Sequence, residues 1–281
     1  CSAQHNKQQE CGEGYFMRFV PIASGSSGNC TVIDTDETHI LVDAGISRKR
    51  TVDALGGLDL SLGDIDGIFI THEHSDHILG LPMIAKQTNM KIYATQKTIA
   101  AIEAIPGCSG IDPDRFVAVV PDKELKIGDV TVEPMHISHD AADPVGYRLG
   151  HEGKKAVVCT DLGCFDDYTV DCIKDSDVML VEANHDVNML QVGPYPYRLK
   201  QRILGTKGHL SNTASGLMIN SVLNDHLQGI FLGHLSEQNN MPELAFETVR
   251  VEIMMGDSGY RPDELPIFVA DRKNMTPGVE F

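Results

Sequence analysis

The chain has 281 residues, enough for one large α/β domain or two small ones, and its 42% apolar content supports a full core. A formal net charge of −17 excludes general attraction to nucleic acid, so a polyanionic substrate would need a local basic surface. No apolar run approaches the roughly 20 residues of a membrane-spanning helix, so no membrane partner is expected.

The opening CSAQHNKQQECGEGYF lacks the charged-then-apolar pattern of a secretory signal. Residues 1–16 therefore read as a non-native or disordered extension ahead of Met17, with a lipoprotein-like Cys1 as the alternative, and residues 17–281 as a single domain. The seven cysteines (Cys1, Cys11, Cys30, Cys108, Cys159, Cys164 and Cys172) are odd in number and form no CxxC pair. That usage predicts reduced thiols and a cytoplasmic location.

Strands are predicted at 19–24 (FVPIAS), 30–35 (CTVIDT), 39–45 (HILVDAG) and 67–74 (GIFITHEH), each rich in V, I or F and flanked by turn residues. Residues 78–88 have helical apolar spacing, and KIYAT at 91–95 returns to strand. The stretches 128–139 and 146–160 each read as a strand pair. The second half alternates strand 178–184, a helix around 213–224, strand 229–236, a helix near 242–254 and a final strand at 265–270. Strands in both halves, each followed by helices, predict two sheets packed face to face with helices outside.

The densest chemistry is THEHSDH at 71–77, directly after the apolar run IDGIFI. Three imidazoles and a carboxylate at a strand tip must have their polarity satisfied, and a metal does so with few other partners. His72 and His74 can face one metal, and Asp76 and His77 a second. The bland alternative is a solvated helix start with Ser75 or Asp76 as its cap. Four further candidates follow apolar runs in the same way: Asp43 in ILVDAG, His139 in MHISHDA, Asp161 in AVVCTDLG and His234 in IFLGHLS.

This order, Asp43 then HxHxDH, His139, Asp161 and His234, resembles the metallo-β-lactamase superfamily. The resemblance implies an αββα four-layer sandwich of two mixed β-sheets flanked by helices. It implies that His72, His74 and His139 hold one metal, that Asp76, His77 and His234 hold the second, and that Asp161 bridges both. Asp43 would orient the HxHxDH loop by hydrogen bonding. A narrower resemblance rests on ASGSSGNC (23–30), SHDAADPVGY (138–147), TDLG (160–163), EANHD (182–186), GPYPYRLKQRI (193–203), GHLSN (208–212) and GHLSEQNN (233–240). Together these are similar to the YycJ (WalJ) family, regarded as bacterial metal-dependent nucleases akin to ribonuclease Z.

That family implies a metal-dependent phosphodiesterase acting on nucleic acid, exonuclease-like, with two divalent ions, zinc or manganese. Two metals roughly 3.5–4 Å apart supply a bridging hydroxide and grip phosphate oxygens. A mixed His/Asp set suits zinc and tolerates manganese. Asp76, His209 and Asp43 are the candidate catalytic residues. His209, in GHLSN, resembles the histidine of ribonuclease Z-like GHST segments that stabilises or protonates a developing oxyanion; a neutral capping histidine is the alternative.

Residues 187–224 contain no Asp or Glu yet carry Arg198, Lys200, Arg202 and Lys207 just before His209. Such a strip would hold a phosphate backbone, with Tyr195 and Tyr197 stacking on unpaired bases; a solvated helix face is the alternative. His185 is a candidate substrate contact or supporting partner, and Arg48, Lys49 and Arg50 follow the Asp43 loop as further candidates. His136 is expected to support His139 or to point away. No long substrate-gripping arm of the tRNA-processing kind is evident, which favours DNA over RNA. A carbonyl ester, thioester or lactam hydrolase on the same fold is the alternative function.

Overall fold

Alternation of apolar side chains makes each strand serve two cores at once. In β1 (Met17–Ala23), Met17 and Phe19 enter one apolar cluster while Val20 and Ile22 enter another. The computed structural model describes residues 17–281, and the expectations for residues 1–16 fall outside that range.

The first sheet also contains β2 (Cys30–Thr35), β3 (His39–Val42), β4 (Gly67–Phe69), β5 (Lys91–Thr95) and β6 (Phe116–Val119). The second contains β7 (Leu125–Ile127), β8 (Val130–His136), β9 (Val145–His151), β10 (Lys154–Cys159), β11 (Val178–Glu182), β12 (Gly229–Gly233) and β13 (Ile267–Val269). A last short strand, β14 (Val279–Glu280), returns to the first sheet beside β1. The orders are β14-β1-β2-β3-β4-β5-β6 and β13-β12-β11-β10-β9-β8-β7, and both sheets are mixed.

Phe19, Phe69 and Tyr93 of the first sheet share a cluster with Tyr147, Leu180 and Phe231 of the second, so the sheets pack face to face. Outside the first sheet lie α1 (Arg48–Gly56), α2 (Ser75–Ile78), α3 (Leu81–Ala85) and α4 (Gln96–Ala104). Of these, α1, α3 and α4 contribute Leu55, Ile84 and Ile102 to a second core. Outside the second sheet, α5 (Asp167–Ile173), α8 (Asn212–Asn220) and α9 (Pro242–Met255) supply Ile173, Met218 and Val249 to a third. Between α5 and α8 come α6 (Val187–Val192) and α7 (Tyr197–Leu204). The result is the predicted αββα sandwich.

Strands β3 to β6 run parallel, as do β10 to β13. Their carboxyl ends therefore emerge together, the usual place for a ligand in parallel α/β sheets.

Three expectations need correction. The stretch 128–139 holds one strand, β8, whose hairpin partner β7 precedes it; Gly128, at φ +54, makes the turn where a strand start was expected. The helix expected over 78–88 is broken into α2 and α3, because Gly80 presses on the 44–46 loop: a Cβ there would lie 2.1 Å from the Ile46 carbonyl oxygen. The strand at 265–270 is not the last, since β14 pairs with β1 through only two residues that carry no apolar periodicity. No helix among the described residues is long and apolar enough to cross a membrane.

Candidate metal centre

The candidate residues sit just past strand ends or in the loop and short helix that follow β4, and three of them have strained backbones. Asp43, Asp161 and His234 have φ of +63, +62 and +53, in the left-handed region that side-chain-bearing residues avoid. Asp59, Asp122, Glu152 and Asp175 share that region in surface turns, so what sets these three apart is that they are buried, where such strain must be held by the surroundings.

The residues after β4 curl back over the strand tips and are pinned from beneath by Asp43. Its Oδ1 accepts from Thr71 N at 2.9 Å, and its Oδ2 meets His77 Nδ1 at 2.7 Å. That bond leaves His77 Nε2 to face the centre, 3.3 Å from Asp161 Oδ2 and 3.5 Å from Asp76 Oδ2. From the second sheet, Tyr147 donates its hydroxyl to the Ile70 carbonyl at 2.8 Å, just before the loop begins. Gly45 lets the loop approach closely, for a Cβ there would fall 1.6 Å from the Asp76 carbonyl oxygen.

The ligand atoms form two groups. His72 Nε2 and His139 Nε2 stand 3.1 and 3.2 Å from His74 Nδ1. In the second group, His234 Nε2 lies 3.3 Å from Asp76 Oδ2, with His77 Nε2 beside them. Asp161 faces both groups: it is 3.4 Å from His234 Nε2 and 3.9 Å from His139 Nε2. Its Oδ2 is buried with no hydrogen-bond partner, an orphan that a cation would satisfy. Burial opposes ionisation of Asp161, but His234 and His77 overcome it and hold the carboxyl well below the usual range. Two adjoining clusters of imidazole and carboxylate, sharing one aspartate, fit two divalent cations.

Sequence reasoning missed Glu182. It continues the inward register of Val178 and Leu180 at the tip of β11 and is fully buried. Its Oε1 lies 2.8 Å from both His209 Nδ1 and His234 Nδ1, while Oε2 accepts from Leu162 N and Leu210 N. Burial opposes its charge, yet the two imidazoles lower its carboxyl to about 2. Glu182 thereby fixes which nitrogen of each ring carries the proton and turns both Nε2 atoms toward the centre. The available signal was a lone carboxylate closing the otherwise apolar run VMLVE. Asn29 was missed too; its side-chain amide spans from Gly25 to the Asp76 carbonyl oxygen and His77.

A cavity of about 300 Å3 opens over the centre, with Ser26, Asp76, Asp161, Arg202, His209 and His234 in its wall. Of the predicted basic strip, Arg202 reaches this cavity, where Asp140 holds its guanidinium (Nη2 to Oδ1, 2.8 Å). Lys207 lines a second groove of about 420 Å3, whose wall also includes His139. Arg198 lies one turn before Arg202 on α7, whereas Lys200 donates to the Gln191 carbonyl. His185 is 1% exposed with neither ring nitrogen bonded, and burial lowers it to about 4; it does not line the cavity. His136 is exposed on the groove side, its ring 6.4 Å from that of Tyr168.

Comparison with known proteins agrees with this fold. The β-lactamase superfamily domain matches residues 38–221. The chain is 41% identical over 229 residues to the exodeoxyribonuclease YycJ of Bacillus anthracis, covering 82% of this chain and 86% of that one. Over 247 residues it is 39% identical to the exodeoxyribonuclease WalJ of Streptococcus pneumoniae, covering 88% and 92%. The metallo-β-lactamase-fold protein YhfI of Bacillus subtilis shares the fold, with a TM-score of 0.69 at 13% identity over 95% of this chain and 100% of that one. With identity of about 40% over four fifths of its length, the chain belongs to the YycJ/WalJ family of metallo-β-lactamase-fold proteins.

Proposed function

We propose that the chain is a metal-dependent nuclease that hydrolyses phosphodiester bonds of DNA from an end. The observation that carries this reading is the pair of ligand clusters joined at Asp161, with His209 and Arg202 in the same cavity wall. The relatives named exodeoxyribonucleases support DNA and an exonucleolytic mode.

His72, His74, His139 and Asp161 would hold one cation, and Asp76, His77, His234 and Asp161 the other. Bound there, two zinc or manganese ions would supply charge neutralisation for a crowded anionic transition state and activation of water. The protein's own groups do the rest. By accepting from Nδ1, Asp43 and Glu182 orient His77 and His234 so that each Nε2 faces the centre, where a bound cation would take the place of its proton. Glu182 likewise turns His209 Nε2 toward the cavity, where the ring, as an imidazolium paired with Glu182, would give its Nε2 proton to the departing oxygen and keep the one on Nδ1. Arg202, with its guanidinium already oriented by Asp140, offers a planar donor fork to a phosphate oxygen.

The test is digestion of end-labelled single- and double-stranded DNA and RNA with zinc or manganese, comparing wild type with His74→Ala and Asp161→Asn. Metal-dependent cleavage lost in both variants, with a ladder starting at one end of DNA, is the expected result. If metal-loaded wild type cuts no polymer but cleaves a thioester or lactam, the phosphodiester reading fails and the carbonyl alternative replaces it.

A further inference from the structure

We propose that a second cationic surface, formed by Arg50, Arg272 and Lys273, with exposed Lys49 preceding Arg50 on α1, is the docking track for the nucleic-acid backbone beyond the cleaved end. This inference rests on the nuclease reading and deepens it, naming where the uncut strand lies.

The residues are 223 positions apart in sequence, yet Arg50 donates through Nη2 to the Lys273 carbonyl at 2.7 Å. The fold joins them to the metal centre through a short chain of contacts. His234 N donates to Ser24 Oγ at 2.9 Å, and Ser24 N donates to the Asp271 carbonyl at 3.0 Å. Arg272 lies directly across Gly25, where a Cβ would come 2.8 Å from its Cγ, and it donates to the Ser236 carbonyl. Ser26, the next residue, is in the cavity wall. The patch thus begins one residue from the cavity, on the far side of the 24–28 loop.

Its position relative to the first basic surface gives the track a direction. Arg272 and Lys273 follow β13, at one edge of the second sheet, while Lys207 lies beside β8 toward the other. Between them run the tips of β12, β11 and β10, which carry His234, Glu182 and Asp161. Five strand steps of about 4.8 Å make a row of roughly 24 Å, long enough for several nucleotides, with the cavity between two cationic ends. Two acids offset part of the patch: Asp271 stays ionised, accepting from the backbone N–H groups of Lys273 and Asn274 beside Arg272, and Glu237 meets Lys273 at 3.5 Å as an exposed pair that water and salt screen. In a chain of net charge −17, cations gathered beside the centre are where a polyanion gains most.

The experiment measures binding by fluorescence anisotropy of labelled single-stranded DNA of 4 to 20 nucleotides, across a salt series. It compares metal-loaded His209→Ala chain, which keeps every proposed ligand, with the same chain carrying Lys49→Ala, Arg50→Ala and Lys273→Ala; thermal unfolding checks that each is folded. Each lost phosphate contact should flatten the log–log salt dependence by about 0.7, so the triple change should flatten it by about 2. Affinity should also stop rising with strand length. Glu237→Gln, which frees Lys273, should tighten binding several-fold. An unchanged salt slope and unchanged length dependence in the folded triple variant would overturn the proposal. Wild type that binds strands but cuts none would sink the hydrolysis reading instead, and these slopes would still decide the track.

Discussion

Glu182→Gln separates positioning from charge at the centre, because the change keeps the shape and removes the anion. One carboxylate oxygen meets two imidazole Nδ1 atoms and the other accepts two backbone N–H groups. A glutamine must point its amide NH2 at one of those pairs, so two donors lose their acceptor. Hydrogen bonds to a buried charge contribute about 1.5–3 kcal/mol each, so the loss before relaxation is about 3–6 kcal/mol. If about 3 kcal/mol survives relaxation, the thermal midpoint falls by about 6–12 °C. The rings can recover a bond only by moving the proton to Nε2, and on His234 that is the atom facing Asp76. Metal affinity at the Asp76–His77–His234 group should therefore drop about 10- to 100-fold, as when supporting partners of ligands are removed elsewhere. Metal content after dialysis against buffered zinc or manganese, with differential scanning calorimetry, reads both effects. A variant holding two ions at wild-type affinity with an unchanged midpoint would refute the role assigned to Glu182.

Gly45→Ala should cost more than about 3 kcal/mol, beyond ordinary overpacking, because its Cβ would meet the Asp76 carbonyl oxygen at 1.6 Å; urea unfolding and loss of bound metal check this. Tyr147→Phe strips the Ile70 carbonyl of its 2.8 Å donor and should lower stability by about 1–2 kcal/mol, seen as a lower urea midpoint at unchanged slope. At pH 8 a thiol reagent should label exposed Cys164 quickly, whereas Cys30, whose thiol burial pushes up to about 12, should react only on unfolding, as resolved by peptide mass spectrometry.

The clustered histidines and aspartates were legible because they follow apolar runs, and the fold does bring them together at the strand tips. Charge read along the chain was less informative. Arg198, Lys200, Arg202 and Lys207 look like one strip, yet α7 brings Arg202 to the cavity and sends Lys200 to the Gln191 carbonyl. In EANHD the histidine drew notice, whereas the glutamate faces the centre and His185 is buried away from the cavity. Strand parity at the end of β11 decides that, and the sequence alone does not reveal the register of a strand buried on both faces. Arg50 drew notice after the Asp43 loop, but Lys273 offered no signal, since only the tertiary fold makes the two neighbours.

The left-handed backbones at Asp43, Asp161 and His234 set stability against use. Glycine would relax the chain at all three, but at Asp43 and His234 it would also delete the buried hydrogen bonds that hold the loop and Glu182, which outweigh the strain. Variants enriched only for thermal tolerance should therefore drift toward glycine, of these positions, only at Asp161, whose Oδ2 has no partner, whereas a screen that also demands bound metal should hold it unchanged.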